Sequence, residues 1–346
     1  MTNMARQSNI ELLRFLSMLM IAIFHINGHA LQSGVFLSSQ WVAYNLTHTL
    51  TITATSVFVL ISGYWGIHFK AKSILNLYLR CAVWGIVGYL LYCLAANTPP
   101  MEAIKIFARL MPFTHGKWWF IVTYLELYFL SPILNAAIEM FDKKKHMVMI
   151  FVFAFVTLYM GYCRETGEDT WGTSLSHFLW LYMIARYTKL YVSLDVIRKY
   201  RWGWVLLFLG SSAITFGLAI LNAKFTLPHC LWAYPYCSPW VLIGAIALIQ
   251  FALSFEFQNK IVNWFASSSL SSYLMDGSPY FGMAVWFPWL ASWMMPLPLS
   301  IRYGILVPFA FAWLCCVCIV DKLWDILIYK PIMKLFNKLP YSDFSL

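Results

Sequence analysis

Apolar residues run along this chain in stretches of about twenty, with little alternation of polarity and short polar or basic breaks between them. An apolar run of ~18 or more residues is long enough to cross a hydrocarbon core of ~30 Å as an α-helix. A transmembrane β-barrel would instead show ~10-residue segments that alternate apolar and polar. The pattern predicts an all-α polytopic membrane protein with about ten transmembrane helices, over residues 10–32, 41–64, 74–95, 118–139, 147–162, 172–188, 202–222, 238–255, 268–290 and 301–321. No internal repeat, Gly/Ser linker or low-complexity tract divides these runs, so residues 1–346 read as a single integral-membrane domain.

Composition supports the pattern. At 346 residues the length prior suggests two soluble domains, but the chain is 61% hydrophobic and 11% charged, with a mean hydropathy of +0.68. A soluble domain is ~25% charged because its outside must be solvated. A soluble enzyme, a disordered protein and a disulfide-stapled secreted domain are excluded. The net charge of +10 would suggest nucleic acid in a soluble protein, whereas in a membrane protein its distribution carries the information. With the N-terminus inside, Arg6, Lys70, Lys72, Lys143, Lys144, Lys145, Lys189, Arg198, Lys199, Arg201, Lys260, Lys322, Lys330, Lys334 and Lys338 face the cytoplasm. Lys105, Arg109, Lys117, Arg164, Lys224 and Arg302 stay outside, and Arg14, Arg80 and Arg186 fall within spans. This 15 to 6 asymmetry predicts N-in and C-in. The bilayer is thus the expected partner and nucleic acid is not. Residues 322–340 interleave lysines with Trp324, Ile328 and Phe336 and read as an amphipathic segment on the inner leaflet. The first apolar run is interrupted by Glu11 and Arg14 and lacks a small-residue cleavage pattern, so it reads as a retained span. Cys315, Cys316 and Cys318 share one span as packed thiols, and Cys230 and Cys237 share an outer loop, where an oxidising compartment would permit a disulfide.

Ionisable groups inside a span are costly and mark sites or pathways. The first span carries the densest set, Glu11, Arg14, His25 and His29. Arg14 and His25 are eleven residues apart, about three turns plus ~20°, so they share one helix face with a rise of ~16 Å between them. Glu11 lies one turn before Arg14 and is placed to pair with it. Two readings stand side by side: a polar stripe that serves a reaction, or an Arg14–Glu11 anchor snorkelling at the interface beneath a hydrogen-bonded interior histidine. His25 and His29 have the i, i+4 spacing of metal-binding helices. They lack the intervening Glu of that motif and a clear third ligand, so no metal site is expected.

The residues also carry a resemblance. Asn9-Ile10-Glu11-Leu12-Leu13-Arg14, then ten residues and His25, resembles the opening of the bacterial membrane acyltransferase 3 family, in which Arg, ten residues and His share the first helix. Val57-Phe58-Val59-Leu60-Ile61-Ser62-Gly63-Tyr64 is similar to that family's apolar run ending in Ser-Gly-aromatic. The stretch from Trp119-Phe120 through Tyr124 and Tyr128 to Ser131-Pro132 is similar to its Trp-aromatic…Tyr…Leu-Ser-Pro helix. The likeness is strongest over residues 9–135. Later, Ser269-Leu270-Ser271-Ser272-Tyr273-Leu274-Met275-Asp276 is similar to a family stretch that often ends in His, with Asp276 at that position here. Lys70-Ala71-Lys72 stands where relatives often carry Arg-x-Arg, which keeps charge but loses the bidentate guanidinium fork.

The resemblance implies a multi-pass O-acyltransferase of the bacterial inner membrane. It would move an acyl group, commonly acetyl, from cytoplasmic acyl-CoA to a hydroxyl of a cell-envelope polysaccharide or its lipid-linked precursor, with the acyl-CoA as donor substrate and no tightly bound cofactor. A sugar hydroxyl is a poor nucleophile, and histidine is the base whose ordinary pKa lies near neutrality. The catalytic candidates are therefore His25 as general base or acyl carrier, Arg14, and Glu11 orienting Arg14. Arg14, Lys70 and Lys72 are the candidates for donor phosphate, and the lysines also read as ordinary inner-loop charges. Trp119, Tyr124 and Asp276 are candidates for the acceptor, with aromatic-belt packing as the alternative for the tryptophan. Asp276 and Glu126, read as buried acids, have the competing role of partnering Arg80 or Arg186. From a different class stands a secondary transporter or export subunit for a polar or glycan-linked molecule, which paired broken helices would favour.

Overall fold

The computed structural model describes residues 7–97, 111, 113, 118–164, 171–338 and 344; Arg6, Lys105, Arg109 and Lys117 of the charge count and the end of the 322–340 segment lie outside them. Every regular element among the described residues is helical. In chain order these are α1 Ser8–His29, α2 Ser39–Thr51, α3 Ala54–Trp65, α4 Ala71–Ala95, α5 Trp119–Glu139, α6 Lys143–Ala154, α7 Leu175–Tyr191, α8 Leu194–Lys199, α9 Arg201–Lys224, α10 Pro239–Leu253, α11 Lys260–Ala266, α12 Leu270–Asp276, α13 Phe287–Met294, α14 Leu299–Trp324 and α15 Lys330–Phe336.

Among the described residues, seven helical stretches are long and apolar enough to cross a bilayer: Ser8–His29, Ser39–Trp65, Ala71–Ala95, Trp119–Glu139, Lys143–Tyr162, Arg201–Lys224 and Leu299–Phe336. They correspond to seven of the ten expected spans, and the other three differ for local reasons. At 172–188 stands α7, of 17 residues, and at 238–255 stands α10, of 15. At 1.5 Å per residue these helices are ~26 and ~23 Å long, short of a ~30 Å core. The 268–290 run is broken: α12 stops at Asp276, and Gly277-Ser278-Pro279 follows, where proline forbids a continuing helix and restricts the residue before it. A Cβ on Gly282 would meet the Asp276 carbonyl oxygen at 2.0 Å, so only glycine lets the chain return this close to the break. The expected inner-leaflet segment from residue 322 continues the last span, through a π turn at Asp325–Tyr329, to Phe336.

The contacts divide the chain into two compact units. Unit 1 comprises Met1–Ile21, Ser33–Ile67 and Thr123–Ala266, and unit 2 comprises Ala22–Gln32, His68–Val122 and Ser267–Leu346. The sequence of α1 contributes its first part to unit 1 and its last part to unit 2.

Within unit 1 the polarity of a soluble core is inverted. In α9, Ser211, Ser212, Thr215 and Ala219 are buried while Leu206, Leu209 and Leu221 are exposed. Lipid is as apolar as leucine, so small and hydroxylated faces make the helix contacts and leucine is left outside. The same rule explains the Ser-Gly-aromatic run of α3. A Cβ on Gly63 would lie 2.8 Å from the Ala185 Cβ and 3.0 Å from the Tyr182 Cα, so the glycine lets α3 and α7 approach backbone to backbone. The Tyr182 hydroxyl then accepts from the Ile67 N–H at 3.0 Å and donates to Asn135 Oδ1 at 2.6 Å, closing the end of α3. At the start of α1, Ser8 and Asn9 hold the chain: the Asn259 N–H donates to Ser8 Oγ at 2.7 Å, and Asn9 Nδ2 donates to the Ala252 carbonyl at 3.0 Å.

Unit 2 carries a buried ionic cluster. Arg80 on α4 pairs with Asp321 on α14 and, at 3.5 Å, with Asp325, while Trp84 Nε1 donates to Asp321 at 3.1 Å and the Tyr329 ring covers the guanidinium at 4.7 Å. Asp321 is fully buried. Arg80 therefore does not partner Asp276, and Arg186 is bonded instead to the Tyr64 carbonyl in unit 1. Glu126, expected as a buried acid, is exposed on α5 beside the exposed Phe129 and Ile133 one and two turns on.

In unit 1 the loop after α9 is pinned by the Ala233 N–H donating to Asn222 Oδ1 at 2.9 Å and the Tyr162 hydroxyl donating to the Trp232 carbonyl at 2.6 Å. Cys230 and Cys237 are separate thiols, with Cys237 buried; the neighbour of Cys230 is Cys163, whose thiol is pushed up by burial and by Cys230. Burial pushes the Tyr236 phenol of this loop up to about 12.

Two stability outcomes follow from these contacts. Asp321→Asn leaves Arg80 buried with only its weaker partner and is expected to cost about 3 kcal/mol, read as a lower thermal midpoint in detergent; replacing both residues with leucine should restore most of it, because an apolar pair leaves no orphaned charge. Gly63→Ala should lower the midpoint by an amount equivalent to about 1–3 kcal/mol through overpacking against Ala185.

Candidate active site

The two singular residues of α1 stand in different surroundings. Arg14 lies in unit 1, with Nη1 donating to both oxygens of Glu11 at 2.7 and 2.8 Å. Glu11 is buried, and about a third of the Arg14 side chain is accessible. One guanidinium nitrogen makes both bonds. Arg14 lies within electrostatic reach of Tyr124, whose hydroxyl donates to Ser62 Oγ at 3.1 Å. Arg14 from the Arg-x10-His stretch, Ser62 from Ser-Gly-aromatic and Tyr124 from the Trp-aromatic…Tyr helix thus converge within unit 1. Three segments that are separate in sequence form one polar cluster.

His25 lies in unit 2, mostly buried, with 16% of its side chain accessible. Its Nδ1 is 3.9 Å from Asp276 Oδ2, is buried, and has no hydrogen-bond partner among the described residues. Asp276 itself is 1% exposed. It sits at the end of α12, where the break sends the backbone away and leaves the carboxylate facing His25. Trp313 Nε1 donates to its Oδ1 at 2.9 Å, and Ser272 Oγ lies 3.5 Å from its Oδ2. The His25 ring is flanked by Tyr273 at 6.1 Å, Phe287 at 6.4 Å and His29 at 5.9 Å between centroids. His29, one turn on, is exposed and packs on Phe287 at 5.0 Å. No group of three or more His, Cys, Asp or Glu side chains converges as metal ligands among the described residues.

A carboxylate beside Nδ1 favours the tautomer that carries its proton there, which leaves Nε2 as the basic nitrogen. The separation of 3.9 Å exceeds a hydrogen bond, and such contacts in catalytic dyads shorten when substrate binds. The arrangement is an imidazole beside a buried carboxylate, both largely shielded from solvent.

The other expected site residues are placed as follows. Lys70 and Lys72 are exposed at the start of α4 in unit 2. Trp119 is half-buried at the first residue of α5, with its ring 5.9 Å from Phe120. Trp313 was not singled out in the sequence. Its signal lay in complementary needs: a buried indole N–H wants an acceptor, and a buried carboxylate wants a donor. Asn9, quoted only as part of a motif, holds the start of the Arg14 helix.

No curated protein and no solved structure matches the chain. A family model described as an acyltransferase domain matches residues 7–320, a range that takes in the Arg14–Ser62–Tyr124 cluster and the His25–Asp276 pair alike, and the chain therefore belongs to the acyltransferase 3 family.

Proposed function

We propose that this membrane acyltransferase moves an acetyl group from cytoplasmic acetyl-CoA to a hydroxyl of a cell-envelope polysaccharide or its lipid-linked precursor, in a bacterial inner membrane and with both termini inside. The observation that carries the chemistry is His25 Nδ1 facing the buried Asp276. In this reading His25 Nε2 takes the proton of the acceptor hydroxyl as its oxygen attacks the thioester carbonyl. Asp276 stabilises the imidazolium that forms, and the leaving thiolate of CoA takes that proton back from His25 Nε2, which returns the base to its starting state. Direct transfer needs no acyl-enzyme, and the unused Nδ1 of His25 gives the base its orienting partner. Arg14, steadied by Glu11, is assigned to donor phosphate, and Lys70 and Lys72 are each read as phosphate contacts in their own right. Trp119 and Tyr124 serve the acceptor.

The broken helix at Asp276 is the one feature that favours the transporter alternative, since interrupted spans often carry transport sites.

The deciding experiment uses inverted membrane vesicles, whose cytoplasmic face is outward, supplied with labelled acetyl-CoA. Label should enter an envelope glycan, and vesicles of the native orientation should give none. His25→Ala should reduce incorporation by about 10²–10⁴-fold, the usual weight of a general base, at unchanged protein level. His29→Ala should keep partial activity. Asp276→Asn should fall between the two, because it keeps the Trp313 bond but removes the charge that supports the imidazolium. Transfer that survives His25→Ala would remove the catalytic assignment. Separately, Arg14→Lys exchanges a guanidinium fork for a point charge; it should raise the donor KM more than it lowers kcat, whereas a collapsed kcat at unchanged KM would place Arg14 at the reacting thioester.

A further inference from the structure

The arginines of unit 1 and unit 2 are almost all answered by a strong partner. Arg14 is paired with Glu11, Arg80 with Asp321 and Asp325, and Arg198 with Glu256 at 2.8 Å. Arg201 donates to the Ser254 carbonyl at 2.7 Å, and Arg302 to the Met295 and Leu297 carbonyls at 2.5 and 3.0 Å. Arg186, near the end of α7, is held more weakly than any of these. It is half-buried; its Nη1 reaches the Tyr64 carbonyl at only 3.4 Å, and its Nε is buried without a hydrogen-bond partner among the described residues. No carboxylate pairs with it among those residues. A half-buried guanidinium held this weakly recovers little of its desolvation cost, because no opposing charge among the described residues answers it.

The surroundings are built to keep it open. Gly66 ends α3 with φ +80°, and a Cβ there would stand 3.2 Å from Arg186 Nη1, so the glycine both makes the turn and leaves the guanidinium its space. One helical turn beyond Arg186, on the same face of α7, the exposed Lys189 places Nζ 4.9 Å over each of the Tyr64 and Trp65 rings. Ring faces hold an ammonium but do not neutralise it. Two cations one turn apart, with neither matched to a carboxylate among the described residues, therefore flank the last residues of the Ser62-Gly63-Tyr64 run in unit 1.

We propose that Arg186 and Lys189 form a phosphate-binding subsite, and that its ligand is the phosphate-bearing end of the acyl-CoA donor. The assignment of the ligand rests on the donor reading given under Proposed function. The guanidinium supplies a planar fork and the ammonium a mobile point charge, a combination suited to adjacent phosphates. Lipid headgroup phosphate presents the same chemistry to cations near an interface, so the test must separate the two sources.

Full-length protein is assayed in a maltoside detergent free of phospholipid and again in phosphatidylglycerol nanodiscs, with acetyl-CoA or with S-acetylpantetheine, which carries the thioester but no phosphate. Lys189→Ala alters an exposed side chain and should insert normally; Arg186→Lys keeps the charge and loses the fork. Each should raise the KM for acetyl-CoA about tenfold to a hundredfold in both environments, with little change in kcat and no change in the KM for S-acetylpantetheine. Equal effects on both donors, effects confined to the nanodiscs, or an unchanged KM for acetyl-CoA would each overturn the proposal. If acetyl-CoA proves not to be a donor, calorimetry with inorganic pyrophosphate separates that failure from this one. Binding by the wild type that is lost in Lys189→Ala upholds the phosphate subsite, whereas absent or equal binding overturns it.

Discussion

In a medium that offers no water, every charge carried into the protein must find its answer inside the protein. That constraint organises both units. It joins α4 to α14 through Arg80 and Asp321, it folds Glu11 back onto Arg14, and it gives Asp276 an indole donor from Trp313. Apolar residues do not hold these helices together in the usual sense, since leucine gains little by leaving lipid for protein. Close contacts through Gly63, Ser211 and Gly244, and satisfied polar groups, do that instead.

The constraint also explains how the candidate site came to be assembled from pieces that look unrelated in sequence. Ser62, Tyr124 and Arg14 meet because each brings a polar group that needs company. Gly63, next to Ser62, makes the helix contact that holds the cluster's neighbour α7 in place. His25 is the counter-example. Its Nδ1 is left at a distance from Asp276 that falls short of a bond, and the proposed general-base role rests on that unsatisfied atom.

Much of this was legible in the sequence, and the parts that were not share a cause. The helical class and seven spans followed from run length alone, because a bilayer imposes a minimum that few soluble helices meet. The Arg14–Glu11 pair followed from i, i+3 spacing. What spacing within one helix does not carry is the identity of partners across helices. Asp276 had Arg80 and Arg186 as candidate partners, yet Arg80 took Asp321 and Asp276 turned to His25. Glu126 reads as buried when an acid in an apolar run is assumed to face inward, but its helix presents Phe129 and Ile133 on that side. The break at Asp276 was visible as Gly277-Ser278-Pro279, and the hydropathy average over residues 268–290 concealed it.

The continuity of α1 has a consequence for how this enzyme tolerates change in length. One unbroken helix of 22 residues carries Arg14 and His25, so their spacing is fixed by covalent geometry, ~16 Å of rise with ~20° of angular offset. Substitutions between them alter packing but leave that separation intact. A one-residue insertion or deletion that kept the helix regular would swing His25 by ~100° relative to Arg14, turning it off the shared face. The segment from Arg14 to His25 therefore acts as a ruler whose markings can be repainted but whose length is set.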